Sequence, residues 1–573
     1  MRNADYAAIL SATAALLEIS GGNVYRVRAF ERAARTLKRH PSDINPAIED
    51  GSVKSLSGIG KSIAEDLKAL QQGGSFELFE ELRAQLPDQI LDLLQVQGLG
   101  PKKVKALYEK LDVGNLDDLE RVIDSGEVAE LKGFGAKTQE NIRREIDRLR
   151  RQAGRVPLPQ AMSIAAPLLK QLRAIPAVER ADLAGSARRW RETVKDIDFV
   201  AASADPEAVM EAFVNLPQVT EVIARGPTKT SVFLPGDLQA DLRVVAPDRF
   251  GSALHHFTGS KEHHVELRAR AKGMGLKISE YGVFQVDDDS APIASATEEE
   301  VYAALGLPFI PPEMREASGE LKAAEANTLP ALIALGDIRG DLHMHTTASD
   351  GRHSIEEMAR AALDMGYAYI AITDHSQAST VANGLSPERL ERHMEAIDEV
   401  NAQIDGIEVL KGIEVDILRD GELDLPHDLL KRLDYVVASV HSSMKLDRDA
   451  MTQRVIRAIA SGCVHCVGHP TGRILGGRDP FELDLDAVIE ACLEHRVALE
   501  INASYGRLDL TDTHARMAAD AGVPLIISTD SHTTEGLDQM IFGVKVAQRA
   551  WLAPEQVLNT RSWDDLKGWF GRA

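Results

Sequence analysis

Hydrophobic spacing changes character along the 573 residues. Residues 1–50 read as helices, with apolar positions at Ile9, Leu10, Leu16 and Leu17. From 160 to 250 the pattern becomes mixed. A helical stretch over about 162–174 precedes runs near 180–185, 194–201, 230–234 and 238–245 that predict strands. From about 337, seven short apolar runs alternate with helical stretches. They lie near 339–344, 368–374, 408–415, 434–440, 464–468, 497–502 and 524–529, and predict a barrel around a parallel sheet.

Between these regimes a short motif repeats. Gly58-Ile59-Gly60-Lys61, Gly98-Leu99-Gly100-Pro101-Lys102 and Gly133-Phe134-Gly135-Ala136-Lys137 are Gly-hydrophobic-Gly turns that each open a helix. Glycine lets backbone N–H groups approach an anion, and a helix N-terminus favours phosphate. Three such turns resemble helix-hairpin-helix motifs, which grip the DNA backbone without reading sequence. Arg26, Arg28, Arg32, Arg35, Lys38 and Arg39 form a basic cluster ahead of them, and an arginine-rich run over 143–155 ends in a predicted linker.

Composition narrows the class. The 44% hydrophobic content suffices for ordinary cores, so a length of 573 predicts about three or four domains. No apolar run is long enough to span a membrane, and the first residues lack a signal-peptide plan. Cys463, Cys466 and Cys492 give no disulfide framework, so a cytoplasmic protein is expected. The net charge of −23 argues against a polyanionic partner, but its distribution does not. Residues 1–150 balance at −2 (22 basic, 24 acidic), residues 151–320 at −5, and residues 321–573 at −16. Of the 17 histidines, 12 also lie after residue 320, and histidine enriched with acid points to metal.

Two sets of residues carry candidate chemistry. Asp196 and Asp198 stand two apart on a predicted strand, so both carboxylates share a face. Such a pair repels itself unless a divalent cation intervenes. Asp241, on a later strand, can complete a three-carboxylate site. Gly185-Ser186 ahead offers an anion cradle, with Arg188 and Arg189 adding fixed charge. The second set is His343, His345, Asp350, His375, Glu414, His441, His469, Asp530 and His532, nearly all at the ends of the seven runs, on one rim of a barrel. Nine nitrogen and oxygen donors without thiolate suit three ions of Zn²⁺, Mn²⁺ or Fe²⁺. Arg473 and Arg507 are candidate phosphate contacts. Cys463-Val464-His465-Cys466 lacks a second cysteine pair and reads as a helix end leading into a strand. His353, His393, His427, His495 and His514 read as surface residues, and the clustered His255, His256, His263 and His264 as nucleotide or DNA contacts.

Gly185-Ser186-x-Arg188-Arg189, Asp196-x-Asp198, Asp241-x-Arg243, Phe257-Thr258-Gly259-Ser260 and Glu280-Tyr281-Gly282, in this order, resemble the family X DNA polymerases over residues 1 to about 315. The resemblance implies two Mg²⁺ or Mn²⁺ ions held by Asp196, Asp198 and Asp241. It implies triphosphate contacts from Gly185, Ser186 and Arg189, and a sugar pocket of His256, Phe257, Thr258 and Gly259, with His264 near the base. It also implies DNA contacts from Gly58, Gly60, Lys61, Gly98, Gly100, Lys102, Gly133, Gly135 and Lys137. Departures are visible. His256 stands where animal members have tyrosine, and His264 where asparagine is usual. Asp66 stands where animal repair members carry a Schiff-base lysine; a carboxylate forms no imine, so 5′-sugar-phosphate lyase activity is expected to be weak or absent.

Residues 337–570 resemble the polymerase and histidinol phosphatase (PHP) family, and all nine of its ligand positions are filled here. That implies Mn²⁺-dependent 3′–5′ exonuclease activity, with abasic-site endonuclease or 3′-phosphatase activity in relatives. The expected fold is multidomain α+β and α/β. A helix-hairpin-helix domain (1–85) and fingers (86–155) precede a nucleotidyltransferase palm (156–250) and a thumb (251–316). A linker (317–336) then leads to a distorted (β/α)7 TIM-like PHP barrel (337–573). The expected partners are dNTPs and gapped, nicked or recessed primer-template DNA, with no membrane, bound by a monomer. The competing readings are a phosphoesterase for a small phosphomonoester and a non-catalytic DNA-end scaffold.

Overall fold

The computed structural model describes all residues except 2, 41–42, 88, 97–98, 132, 136–137, 141, 144–145, 147–154, 289, 476–477 and 572–573. Most of the arginine-rich run before residue 155, with Gly98 and Lys137, therefore lies outside the described residues. The chain divides into two units, Met1–Arg155 and Val156–Ala573.

The first unit is helical. Helices Asn3–Ile19 and Val24–Arg39 pack on each other through Tyr6, Leu10, Leu17, Phe30 and Leu37, all buried. The Asn23 side chain caps the second helix by accepting from the Tyr25 N–H, satisfying one of the orphan donors of a helix start. The buried positions of Val24–Arg39 recur at three and four (Val27, Phe30, Ala33, Ala34, Leu37), which turns Arg26, Arg28, Arg32, Arg35 and Lys38 to solvent.

In the second unit β1 (Val156–Pro157) pairs with β3 (Thr193–Val194). A five-stranded sheet has the order β2 (Arg180–Leu183), β4 (Asp196–Ala202), β7 (Leu238–Val245), β6 (Lys229–Leu234) and β5 (Glu221–Arg225). Helices Leu158–Arg173 and Pro206–Val214 close its core through Leu168, Leu172, Phe213, Phe199 and Leu242. The predicted strands lie close to these positions. β5 was not predicted, because it is a largely exposed edge strand with a register shift between Val222 and Ala224, and carries no inward apolar alternation.

Helix Phe250–Thr258 packs Phe250, Ala253 and Leu254 on Val200 and Ala202 of the palm sheet, while helix Lys261–Gly273, the hairpin β8 (Leu276–Ser279) and β9 (Gly282–Gln285), and helix Glu298–Ala304 form a separate small core around Leu267, Tyr302 and Leu305. Residues 317–336 are not a tether. Helix Glu320–Glu325 packs Leu321 and Ala324 into that same core.

The last part is a parallel seven-stranded sheet in sequential order: β10 (Gly340–Asp341), β11 (Tyr369–Ile372), β12 (Glu408–Asp416), β13 (Tyr435–Ser439), β14 (Cys466–Val467), β15 (Ala498–Asn502) and β16 (Leu525–Ser528). A bridge between Met344 and Ser531 joins its first and last members, so the barrel nearly closes. Leu342, Ala371, Leu410, Val437, Ala498 and Ile526 fill the interior, and the C-terminal helix Trp563–Phe570 packs under them through Trp563, Leu566 and Phe570. Strand parity then does the rest. Two or four residues on from these apolar positions, Glu414 and Glu500 fall on the same inward faces, while His375, His441 and Asp530 follow just past the ends of β11, β13 and β16. No helix among the described residues is long and apolar enough to cross a membrane.

Two candidate metal centres and a nucleic-acid interface

The parallel register of β4 and β7 sets Asp198 directly opposite Asp241, with Asp196 two residues before Asp198 on the same face. Asp241 accepts from Gln239 Nε2 at 3.0 Å and pairs with Lys229 Nζ at 2.5 Å. Burial, reinforced by Asp196 and Asp241, pushes the Asp198 carboxyl up to about 7, and Lys229 and Arg243 only partly offset this. Three carboxylates with a deficit of positive charge are a fit for divalent cations. Gly185 lies against this group at φ +62°, where a Cβ would come within 2.1 Å of Asp198 Oδ2; only glycine allows the approach.

The structure joins the arginines beyond Gly185 to Thr258, Glu298 and Glu316 in the segment that follows the palm sheet. Arg188 grips Glu298 with two nitrogens, at 2.9 and 2.6 Å, and also donates to the Thr258 hydroxyl. The fixed charge expected of Arg188 beside the anion cradle is therefore matched within the protein, by Glu298. Arg189 donates to Glu316 at 3.0 Å and to the Thr258 carbonyl at 2.5 Å. Phe257 lies under the Arg243 guanidinium, and His256 is half-buried with Glu280 4.0 Å away. His264 is buried. Its Nε2 lies 3.1 and 2.9 Å from the carbonyls of His255 and His256, so that nitrogen carries the proton; burial and neighbouring His263 hold the ring neutral, down to about 3. His255 and His263 are core residues, contrary to the expected nucleotide or DNA contacts. His263 is sandwiched between Glu320 at 2.6 Å and the Tyr302 hydroxyl at 2.9 Å. Its acidic partner lies 57 residues on, beyond any local spacing pattern.

On the barrel rim all nine expected residues converge. Three groups have ligand atoms close enough to share an ion: His345, Asp350, His375 and His532; His343, His345 and Asp530; and His375, Glu414 and His441. His469 Nε2 joins Glu414 at 3.1 Å. Nδ1 of His345 and His469 and Nε2 of His343 are buried without hydrogen-bond partners, and Nδ1 of His375 lies 2.8 Å from Oε2 of Glu414. Buried polar atoms are rarely left so, and donors of this kind among three converging groups fit metal ligation. The charges are interlocked. Burial raises Glu414, but His441, His375 and His343 hold it well below the usual carboxylate range. Burial opposes protonation of His441, but Glu414 and Asp416 carry it up to about 10. His345, buried beside His375 and His532, is driven down to about 4. Asp350 and His532 are the most exposed of the nine and mark the mouth.

Further residues support this rim. Glu500 takes His343 Nδ1 at 2.7 Å with one oxygen and the His469 N–H with the other. Asp416 holds His441 Nδ1 at 3.1 Å. Both were legible as carboxylates at inward strand positions. His393 is not a surface residue but is buried on Asp374 at 3.0 Å. Arg507 lies 3.3 Å from Asp530, with Nη1 buried and unpartnered. Arg473 differs: it binds the carbonyls of Arg507 and Leu508 and the Glu192 carboxylate, and so is a structural clamp. His465 accepts the Val436 N–H at 2.9 Å, on the barrel wall.

In the first unit the three Gly-hydrophobic-Gly turns share one bond. The N–H groups of Ile59, Leu99 and Phe134 each donate to the carbonyl three residues back, at 3.0 to 3.1 Å, and all three side chains are buried. Gly60 and Gly100 take nearly identical backbones (φ −86°, ψ 174° and φ −93°, ψ 170°) and start helices Lys61–Gly73 and Pro101–Leu111 with no side-chain cap. Lys61 and Lys102 are exposed beside them. Open first-turn N–H groups with a lysine alongside suit a phosphate. Asp66, half-buried on the first of these helices, is pushed up by desolvation, while Lys61 and Lys68 are exposed.

Comparison with known proteins follows the same divisions. Residues 1–76 match a helix-hairpin-helix domain, 90–148 a SAM-like helix-hairpin-helix tandem, 253–316 the DNA polymerase beta thumb, and 341–504 the PHP domain. The chain is 40% identical to the DNA polymerase/3′-5′ exonuclease PolX of Bacillus subtilis (strain 168), over all of both chains. A probable phosphatase of Enterobacter sp. (strain 638) and the probable phosphatase YcdX of Escherichia coli (strain K12) are 35% and 34% identical, covering 38% of this chain and 89% of their own. Full-length identity at that level, with the helix-hairpin-helix, thumb and PHP matches in the same order as the folded segments, shows that the chain belongs to the family X DNA polymerases with a C-terminal PHP domain.

Proposed function

We propose that this chain fills short gaps in DNA from its palm and trims 3′ ends from its barrel. Asp196, Asp198 and Asp241 would hold two Mg²⁺ or Mn²⁺ ions, and the nine rim residues three transition-metal ions. When bound, such cations lower the pKa of a primer 3′-hydroxyl or of water and offset charge on the phosphoryl group. The chain's own residues do the placing. Gly185 and Ser186 present the start of a short helix to the triphosphate, and Arg189 adds charge-assisted bonds. His256, Phe257, Thr258 and Gly259 border the sugar, with His264 fixed behind them. Residues 1–155 grip the duplex through Gly58, Gly60, Lys61, Gly98, Gly100, Lys102, Gly133, Gly135 and Lys137. On the rim, Asp350 would hold metal at the mouth where the phosphodiester enters, and the Arg507 guanidinium would offset the phosphodiester's charge. The expected domain bounds, with residues 317–336 belonging to the core of the preceding segment and not to a linker, and a monomeric state are part of this reading.

The observation that carries it is the presence, in one unit, of two acidic centres with disjoint ligand sets. The test is primer extension and degradation on gapped and recessed DNA with Mg²⁺ and Mn²⁺ in parallel. Extension and 3′ shortening are both expected. Turnover of a sugar phosphate with no action on a DNA 3′ end would establish the small-molecule phosphoesterase instead.

A further inference from the structure

The turn that follows Gly185-Ser186 is held from the barrel side. Arg549, the last residue of helix Met540–Arg549, is buried and donates to the Arg189 carbonyl at 2.8 Å. It also binds Glu316 Oε1 at 3.1 Å and Asp512 Oδ2 at 2.5 Å. That same Glu316 oxygen accepts from Arg189 Nε at 3.0 Å. One carboxylate oxygen is thus shared by two guanidiniums, one reaching from the barrel and one from the nucleotide cradle. The neighbouring Trp190 stands edge-on to Phe542 and under Lys545, both on the Arg549 helix.

A carboxylate beside Arg189 competes with any phosphate for that guanidinium, and an anion brought next to it is repelled. Both costs fall if a second, permanent cation keeps the carboxylate. We infer that Arg549 is a positioning residue of the nucleotide site: it retains Glu316 when a triphosphate takes Arg189, and it fixes the Arg189 backbone while the side chain changes partner. This rests on Arg189 being a triphosphate contact. It makes the barrel part of the machinery that sets nucleotide affinity, independently of the barrel's own chemistry.

The test is single-nucleotide insertion by the full-length protein over a dNTP titration, with the 3′–5′ exonuclease rate measured alongside. Arg549→Gln is expected to raise the dNTP KM about tenfold, within the usual range of coupling between sites. Its kcat and exonuclease rate stay near those of the parent, and Arg549→Lys, which keeps the charge, recovers part of the loss. A purely structural role would instead lower kcat and both activities together. Glu316→Gln removes the carboxylate that needs retaining but leaves the bond to the Arg189 carbonyl, so adding Arg549→Gln to it is expected to raise KM by clearly less than tenfold. An unchanged KM in folded Arg549→Gln, or an undiminished tenfold rise on the Glu316→Gln background, would overturn the inference. Absence of any insertion by the parent protein would instead overturn the reading of the palm.

Discussion

The palm and the barrel both gather carboxylates, but their electrical designs are opposite. In the palm three aspartates face each other with Lys229 and Arg243 as partial relief, and Asp198 is left near 7. On the rim six imidazoles interleave with three carboxylates, and the neighbouring histidines hold Glu414 and Asp530 well below the usual carboxylate range. The first arrangement is incomplete until cations arrive, and a nucleotide triphosphate is a natural carrier for them. The second is a prebuilt cage whose donor atoms already converge. One site has carboxylates in want of positive charge, and the other has mixed donors already gathered in a way that fits metal.

The sharpest way to break this contrast is to remove ligands from one site at a time. Asp198→Ala is expected to reduce nucleotide insertion by at least about 10³-fold and leave 3′ shortening intact. His343→Ala with His345→Ala is expected to do the reverse. If either lesion removed both activities equally in folded protein, the two centres would be one.

Glu500→Gln asks how the cage is held. It keeps the size of the side chain but not its charge, and loosens the orientation of His343. Metal affinity at the rim, measured by competition with a chelator, is expected to fall about 10- to 100-fold, with insertion by the palm unchanged. An unaltered affinity would mean that the strands alone orient the ligand.

A chelator gives the thermodynamic version. Metal held at a hundred times its Kd stabilises a fold by about 2.7 kcal/mol. Stripping it is expected to lower the unfolding temperature of the parent by roughly 5 to 10 °C and that of the His343→Ala, His345→Ala variant far less. A comparable drop in both would place resident metal elsewhere than on the rim.

The smallest effect concerns the helical unit. Borohydride trapping of the full-length protein on abasic-site DNA is expected to give little cross-link, because Asp66 occupies the imine position. Efficient cross-linking through Lys61 or Lys68 would add a third chemistry to the two compared here.

Much of this was legible in the sequence, and for a common reason. Parity along a strand converts spacing into shared direction, so Asp196 and Asp198, or Glu414 after Leu410, could be placed from their positions alone. The seven apolar runs became seven strands because each is buried on both faces and carries no competing pattern. What escaped depended on partners distant in the chain. His263 meets Glu320, His393 meets Asp374, and Arg188 meets Glu298 across 110 residues. Segment 317–336 read as a linker because its apolar residues complete a core begun fifty residues earlier.

The seam between Met344 and Ser531 has a consequence in time. A ribosome delivers His343 and His345 early in the barrel and Asp530 and His532 only some 185 residues later. Until the last strand closes on the first, the group built from His343, His345 and Asp530 does not exist. A chain still being made can carry a folded palm sheet, yet it has no finished cutting centre. The cutting centre is therefore finished only when the last strand of the barrel is in place.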